Sequence, residues 1–174
     1  MVRLQEREVG AGKCVTYRQV AEDVPLAFRP LWQASIPDEA ALRSGFPCES
    51  ISLRRSAGHS WFQPGASYTV TLFRDGSAEL KSKDAPDTES EYAGNVASWD
   101  YGKLCYLTER LGLDRFAQYY SANWTDANGT RIAVTSRARQ FVVSEYSGIG
   151  PIELWAIENA IEAVKKRIEW KVKQ

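Results

Sequence analysis

The sequence predicts an α+β fold of two layers, in which a mostly antiparallel β-sheet carries two main amphipathic helices on one face. Three observations lead to this fold class. Asp75-Gly76 stands between two alternating runs and predicts a hairpin. Two long segments have apolar residues at helical spacing. The strand-like segments are joined by short connections, which favour antiparallel pairing. The predicted order of elements is β-β-β-α-β-β-α.

Strands are predicted where polar and apolar residues alternate. The first is Ile51–Arg55, and the strands of the hairpin are Tyr68–Phe73 and Ser77–Lys81. Their β-branched and aromatic residues favour extended structure. Residues 83–90 are polar and contain a proline, so they are predicted to form a loop. Residues 91–96 are compatible with one further strand.

The first main helix is predicted to begin at Ser98, a residue type that caps helix N-termini, and to end at Gly112. Its apolar stripe consists of Tyr101, Leu104, Leu107 and Leu111. A second hairpin is predicted from residues 130–135 and 140–143, and Pro151 then begins the second helix. The stripe of this helix consists of Leu154, Ile157, Ile161, Val164 and Ile168.

Residues 1–49 differ in character from the rest of the chain. Cys14–Val20 has the pattern of a short strand, whereas prolines interrupt the helical spacing that follows it. Pro37–Arg43 has the pattern of one or two helical turns. We therefore predict an irregular N-terminal arm, residues 1–49, packed on a single α+β domain of residues 50–174.

Composition and charge exclude several classes of function. The chain is 44% hydrophobic and 25% charged, which is typical of a globular protein. Its 22 basic residues are balanced by 22 acidic ones, so nucleic-acid binding is not expected. No signal peptide or membrane span is evident. The three cysteines are an odd and widely spaced set, which predicts free thiols in the cytoplasm and leaves one disulfide pair open.

The order of several residues resembles the bacterial domain-of-unknown-function family numbered 6438, over about residues 51–165. The matching landmarks are Ile51-Ser-Leu53, Tyr68, Asp75-Gly76, Tyr92, Gly94, Thr125-Asp126, Ile132, Val134, Glu145-Tyr146, Pro151, Leu154, Ile157-Glu158 and Ile161. The resemblance implies a small α+β domain, often exported, to which no activity is assigned. Members commonly carry a cysteine pair in the loop before the second strand, whereas Ala57–Pro64 contains none.

Few residues are candidates for chemistry. His59 is the only histidine, so imidazole chemistry would have to use it, although an exposed loop histidine is its more common role. Asp126 lies in a polar loop, where Asp usually stabilises a turn. Cys105 lies among apolar helix residues, where Cys usually packs. His59 and Asp126 are therefore weak catalytic candidates. No metal site is predicted, because the cysteines lack Cys-x-x-Cys spacing, and no motif indicates a cofactor.

Four residues are candidates for binding. Trp61 and Phe62 are adjacent large apolar residues in the loop 57–64, where they either plug the edge of the core or contribute to a binding surface. His59 shares this loop. Arg55 is one of five arginines on or beside predicted strands, which would place guanidinium groups on a solvent-facing sheet surface. The others are Arg54, Arg131, Arg137 and Arg139.

These observations favour a non-enzymatic domain that binds another protein through the loop 57–64 and a sheet face. The alternative is a small hydrolase or transferase that uses His59 with Asp126 or Cys105. A third hypothesis is a role in homo-oligomer assembly, which the aromatic content allows.

Overall fold

The computed structural model describes residues 4–9, 12–17, 39–58, 67–85, 88–123, 127–137 and 139–173. The chain divides into two compact units, Met1–Asp38 and Glu39–Gln174. In the first unit, β1 (Leu4–Val9) pairs with β2 (Gly12–Tyr17) as an antiparallel hairpin. The second unit contains every element described below. Its division from the first falls before a short helix, α1 (Glu39–Ser44), within the segment where helical turns were predicted.

The second unit is built on one sheet of eight strands. They are β3 (Cys48–Ser56), β4 (Ser67–Phe73), β5 (Ser77–Ala85), β6 (Thr88–Asn95), β7 (Tyr119–Tyr120), β8 (Gly129–Ser136), β9 (Gln140–Tyr146) and β10 (Lys171–Val172). Their order across the sheet is β10-β6-β5-β4-β3-β8-β9-β7. All pairs are antiparallel except β7 with β9. The α+β fold class and the mostly antiparallel sheet are therefore confirmed.

The Asp75-Gly76 hairpin is confirmed, although only one of these two turn residues has a positive φ. Three residues separate β4 from β5, and Gly76 has a φ of +98°. The Gly76 N–H donates to the Phe73 carbonyl at 3.0 Å. Asp75 stays at negative φ, and its Oδ1 accepts the Ser77 N–H at 2.8 Å. Only Gly76 therefore needs the left-handed backbone region that glycine reaches without steric penalty.

The sheet has more strand than was predicted. Residues 83–90 were expected to form a loop, but β5 continues to Ala85 and β6 starts at Thr88. The ladder between β5 and β6 continues past Lys83, which pairs with Glu89. Polar side chains alternate along an exposed sheet face as readily as along a loop, so polarity alone misidentified this segment. The sheet thus has four strands before the first main helix.

Two helices cover one face of the sheet and enclose the core. These are α2 (Ser98–Arg110), which ends where Gly112 has a φ of +66°, and α3 (Ile152–Lys165), which follows Pro151. The N-cap of α2 is Ala97 rather than the predicted Ser98. The main buried side chains are Ile51, Leu53, Val70, Leu72, Ile132 and Val134 from the sheet, and Tyr101, Leu104, Leu154, Ile157 and Ile161 from the helices. The predicted apolar stripes therefore face the sheet.

Candidate functional site

Arg55 lies on the helix-covered face of the sheet. Side chains alternate along a strand, so Ile51, Leu53 and Arg55 point to the same side of β3. The Arg55 Nη1 donates to Glu158 Oε2 at 2.9 Å and to Thr130 Oγ1 at 2.6 Å. Its Nε donates to Glu162 Oε1 at 3.3 Å. The interpretation that placed Arg55 with the other arginines on a solvent-facing surface is therefore wrong, although its role in binding stays a prediction.

Glu158 is the most deeply buried charged side chain of this region. Its relative exposure is 2%, and one carboxyl oxygen, Oε1, has no hydrogen-bond partner among the residues that the structure describes. The neighbouring Glu145 is 8% exposed, and its Oε2 accepts the Gly150 N–H at 3.0 Å. Burial, opposed by the charge of Arg55 and reinforced by that of Glu145, raises the pKa of Glu158 to about 7. Near neutral pH, this carboxyl therefore carries a proton for much of the time.

The carboxylate of Glu162 provides a negative charge beside the Arg55 guanidinium. Lys165 Nζ lies 2.8 Å from Glu162 Oε2, and the Tyr68 hydroxyl donates to Glu162 Oε1. Lys165 Nζ also lies 3.6 Å from the centre of the Tyr68 ring, in a cation–π contact. Burial alone would raise the pKa of Glu162, but the hydrogen bonds from Lys165 and Tyr68 outweigh it and lower the pKa. Glu162 therefore remains ionised.

We refer to these seven residues as the charged cluster. Its members are Arg55, Tyr68, Thr130, Glu145, Glu158, Glu162 and Lys165. They connect β3, β4, β8 and β9 to α3, and most of their hydrogen-bonding groups are used within the cluster. Chemically, the cluster can hold one exchangeable proton on Glu158. Its contacts fix α3 to the sheet.

Two of the predicted site loops leave the sheet at the same place. Gly58 N–H donates to Asn128 Oδ1 at 2.9 Å, and Ser56 Oγ donates to the Gly129 carbonyl at 3.2 Å. The end of β3 is thereby joined to the segment that enters β8. His59, Trp61 and Phe62 follow Gly58, and Asp126 precedes Asn128, but these four candidate residues lie outside the described residues. Their proposed roles stay predictions.

The opposite face of the sheet carries a pair of arginines. Arg54 and Arg131 are directly opposite each other on β3 and β8, and both are exposed. Neither guanidinium has a hydrogen bond or ion pair with any residue in the described part of the chain. The same register row continues through Ser144 to Tyr119 on one side and through Thr69 on the other. We refer to this row as the arginine row.

Cys105 lies in the core rather than near these surfaces. It is 1% exposed in the middle of α2, and the buried Cys48 of β3 is its neighbour. Within the described ranges, no group of three or more His, Cys, Asp or Glu side chains could hold a metal ion. No helix in those ranges is long and apolar enough to cross a membrane.

The fold and its sites define a small antiparallel α+β domain, with a charged helix–sheet interface on one side and paired arginines on the other. The sequence matches the family described as Domain of unknown function (DUF6438) over residues 51–165, from β3 to the last residue of α3. The chain therefore belongs to this family, as its sequence landmarks indicated. No curated protein matches the chain.

Proposed function

We propose that this chain is a non-enzymatic binding domain that docks an acidic segment of another protein on the sheet face opposite α2 and α3. The observation that carries the proposal is the Arg54–Arg131 pair. Like charges directly opposite each other on neighbouring strands destabilise a sheet. A partner that places carboxylates over both guanidinium groups removes this repulsion and gains charge-assisted hydrogen bonds.

The surroundings of the pair suit an extended partner. The arginine row has the small side chains of Thr69 and Ser144 beside the two arginines. The next row along the same face contains Ser52, Thr71 and Ala133. These small side chains let the backbone of a partner approach the sheet closely. Tyr119, which is 62% exposed, lies at one end of the arginine row. Exposed Tyr and Arg side chains are favoured at recognition surfaces.

The other half of the same face carries charges of both signs rather than two adjacent arginines, and two pairs of opposite charge are in contact there. Lys81 Nζ lies 2.7 Å from Glu91 Oε1 on β6, and Lys173 Nζ lies 2.7 Å from Glu79 Oε1 on β5. The first pair joins the neighbouring strands β5 and β6, and the second reaches from the residue after β10 across β6 to β5. The electrostatic complement that an acidic partner needs is therefore concentrated on β3 and β8.

The test is an NMR titration with a defined probe, a synthetic peptide rich in Asp and Glu with blocked ends. We expect amide shifts centred on Arg54, Thr69, Arg131 and Ser144, and weaker binding as salt is added. The Arg54→Ser/Arg131→Ser variant should bind at least about tenfold more weakly, because each lost charge-assisted contact is worth on the order of 1.5 kcal/mol.

The matched control is Arg137→Ser/Arg139→Ser, which removes two exposed arginines from the β8–β9 connection and leaves the sheet face intact. This control should bind like the wild type. Equal losses in both variants, or equal binding of a peptide with Asn and Gln in place of Asp and Glu, would show non-specific attraction and refute the proposal. Binding of inorganic phosphate without binding of the peptide would exclude a protein partner.

The loop 57–64 enters the proposal as one border of this surface. Ser56, the last residue of β3, lies two residues beyond Arg54, and Gly58 is held by Asn128. The loop that contains Trp61 and Phe62 follows β3 directly in the sequence, and we propose that it contributes to partner binding. Trp61→Ala should weaken peptide binding without moving the shifts away from Arg54 and Arg131. Unchanged affinity would remove the loop from the binding surface.

The cytoplasm is the location that we propose for this activity. Two buried free thiols, Cys48 and Cys105, are typical of proteins kept in a reducing compartment. Export with cleavage of a leader, detected as a shortened chain outside the cell, would contradict this location.

One contact favours a second function, that of a small hydrolase or transferase. The hydrogen bond between Gly58 and Asn128 brings together the loops that contain His59 and Asp126. A general base and an orienting carboxylate need such neighbouring loops. Cys105, in contrast, is buried within α2. A screen with activated ester substrates should show turnover that His59→Ala abolishes, and equal turnover in this variant would exclude the function.

A further inference from the structure

We propose that Cys48 and Cys105 are a redox-modification site, at which a peroxide-class oxidant forms an intramolecular disulfide between β3 and α2. Cys48 is the first residue of β3, and Cys105 lies in the middle of α2. Both thiols are buried, at 4% and 1% relative exposure, and they are direct neighbours in the core. Two cysteines that are far apart in the sequence are thus held side by side.

The segments that carry the two thiols are fixed to each other by neighbouring groups. The Thr108 Oγ1 lies 3.8 Å from the Cys48 Sγ and donates a hydrogen bond to the Cys105 carbonyl at 2.9 Å. The Tyr101 hydroxyl donates to the Cys48 carbonyl at 3.1 Å. These contacts hold the start of β3 against one turn of α2. Bond formation therefore starts from two buried thiols that the same Thr108 side chain contacts on both segments.

The two thiols also differ in acidity, and the oxidation of a thiol pair depends on such a difference. The hydrogen bond with Cys105 lowers the pKa of the Cys48 thiol, while the same contact and burial raise the pKa of Cys105. Cys48 is therefore the thiol of the pair that ionises more readily, and the thiolate is the nucleophilic form. Cys105 retains its proton and stands beside the sulfur that would be oxidised first.

The reaction balances with one peroxide. The Cys48 thiolate attacks one peroxide oxygen and becomes a sulfenic acid, and the O–O bond breaks to release hydroxide, which takes up a proton to form water. The Cys105 sulfur then attacks the Cys48 sulfur, forms the S–S bond and expels a second hydroxide. The proton from Cys105 converts this hydroxide to water. Each sulfur loses one electron, and the peroxide takes up these two electrons.

Burial limits the rate of this reaction, because the oxidant must wait for α2 to open locally. The test therefore has two arms, both with a Cys14→Ser variant that retains only the pair. In one arm the folded protein is treated with hydrogen peroxide, and in the other the urea-unfolded protein refolds in a mixture of oxidised and reduced glutathione. Mass spectrometry after alkylation follows both arms.

We expect slow loss of both thiols in the first arm and formation of the same Cys48–Cys105 cross-link in both. The protein should lose the mass of two hydrogens, and its Tm should rise by roughly 5–10 °C, because the cross-link closes a long loop. Dithiothreitol should reverse both changes. The Cys14→Ser/Cys105→Ser variant should show neither change and should stop at a sulfenic acid or a glutathione adduct on Cys48.

Three results would overturn the proposal. They are the absence of the cross-link even after refolding in the glutathione mixture, a cross-linked protein whose Tm is lower than that of the reduced form, and oxidation of Cys105 before Cys48. The refolding arm separates poor access of the oxidant from unsuitable geometry, because the thiols are accessible before the core closes.

Discussion

Helix α3 meets the sheet along two stripes of different chemistry. The apolar stripe, Leu154, Ile157, Ile161 and Val164, packs against the aliphatic side chains of the sheet. The charged stripe, Glu158, Glu162 and Lys165, belongs to the charged cluster around Arg55. Both stripes face the sheet, but they stabilise the interface differently. Apolar burial is favourable in itself, whereas a buried ion pair only offsets the loss of hydration of its own charges.

The difference between the two stripes shows that burial and stabilisation are separate properties of an interface. Glu158 is as inaccessible to solvent as Leu154, yet its burial opposes its charge and leaves one oxygen without a partner in the described region. Such a cluster fixes which helix residue lies over which strand residue, because only one placement pairs the charges. The apolar stripe supplies most of the stability, and the charged stripe supplies register.

Ile157→Ala should have the largest effect of the changes considered. Ile157 is fully buried, so its truncation removes apolar contacts and leaves a cavity at the centre of the interface. We expect the free energy of unfolding to fall by about 4 kcal/mol, measured by urea denaturation. Trp155→Ala, on the exposed side of the same helix, is the control and should change the free energy by less than about 0.5 kcal/mol. Equal effects would mean that the helix is not packed as described.

Arg55→Met should have the next largest effect. The substitution leaves Thr130, Glu158 and Glu162 without their shared donor in a half-buried place. Breaking one side of such a pair is expected to reduce the free energy of unfolding by roughly 3 kcal/mol.

A double-mutant cycle distinguishes pairing from packing at this position. In Arg55→Met/Glu158→Met, the uncompensated carboxylate is removed as well, so much of the lost stability should return. If the two losses simply add, the charges are not coupled, and the proposed role of the charged stripe is wrong.

The sequence predicted the apolar stripe but not the charged one, and the reason is physical. Leu154, Ile157 and Ile161 have a spacing that only one buried helix face explains. Glu158, Glu162 and Lys165 have a spacing equally suited to a solvated face, since charged residues usually lie on the exposed side of a helix. A signal was nonetheless present, because Arg55 has the same strand parity as Ile51 and Leu53.

The described surfaces show a similar division. The sequence prediction put Arg54 and Arg131 with three other arginines on a solvent-facing surface, but their direct pairing depends on register, which is set by contacts across the whole sheet. Similarly, Trp99 and Tyr106 are highly exposed on α2, because they lie outside its apolar stripe. Tertiary packing determines which exposed residues become neighbours, and a single sequence does not contain this information.

The smallest of the expected effects, on the order of 2 kcal/mol, concerns the proton on Glu158. The pKa of this carboxyl is about 7 in the folded protein, above the ordinary value of 4.5. A raised pKa means that the folded state binds the proton more tightly than the unfolded state. The contribution to stability is therefore present below pH 4.5 and is lost as the pH rises through 7.

Between pH 5 and pH 8, the wild type should lose on the order of 2 kcal/mol that Glu158→Gln retains, because the amide cannot ionise beside Glu145. The groups of the sheet that face this carboxyl are Arg55 from β3 and Glu145 from β9. The measurement is urea denaturation of both proteins across this pH range. Parallel pH profiles would show that Glu158 stays ionised, in which case Arg55 compensates its charge fully and the two stripes differ less than their burial indicates.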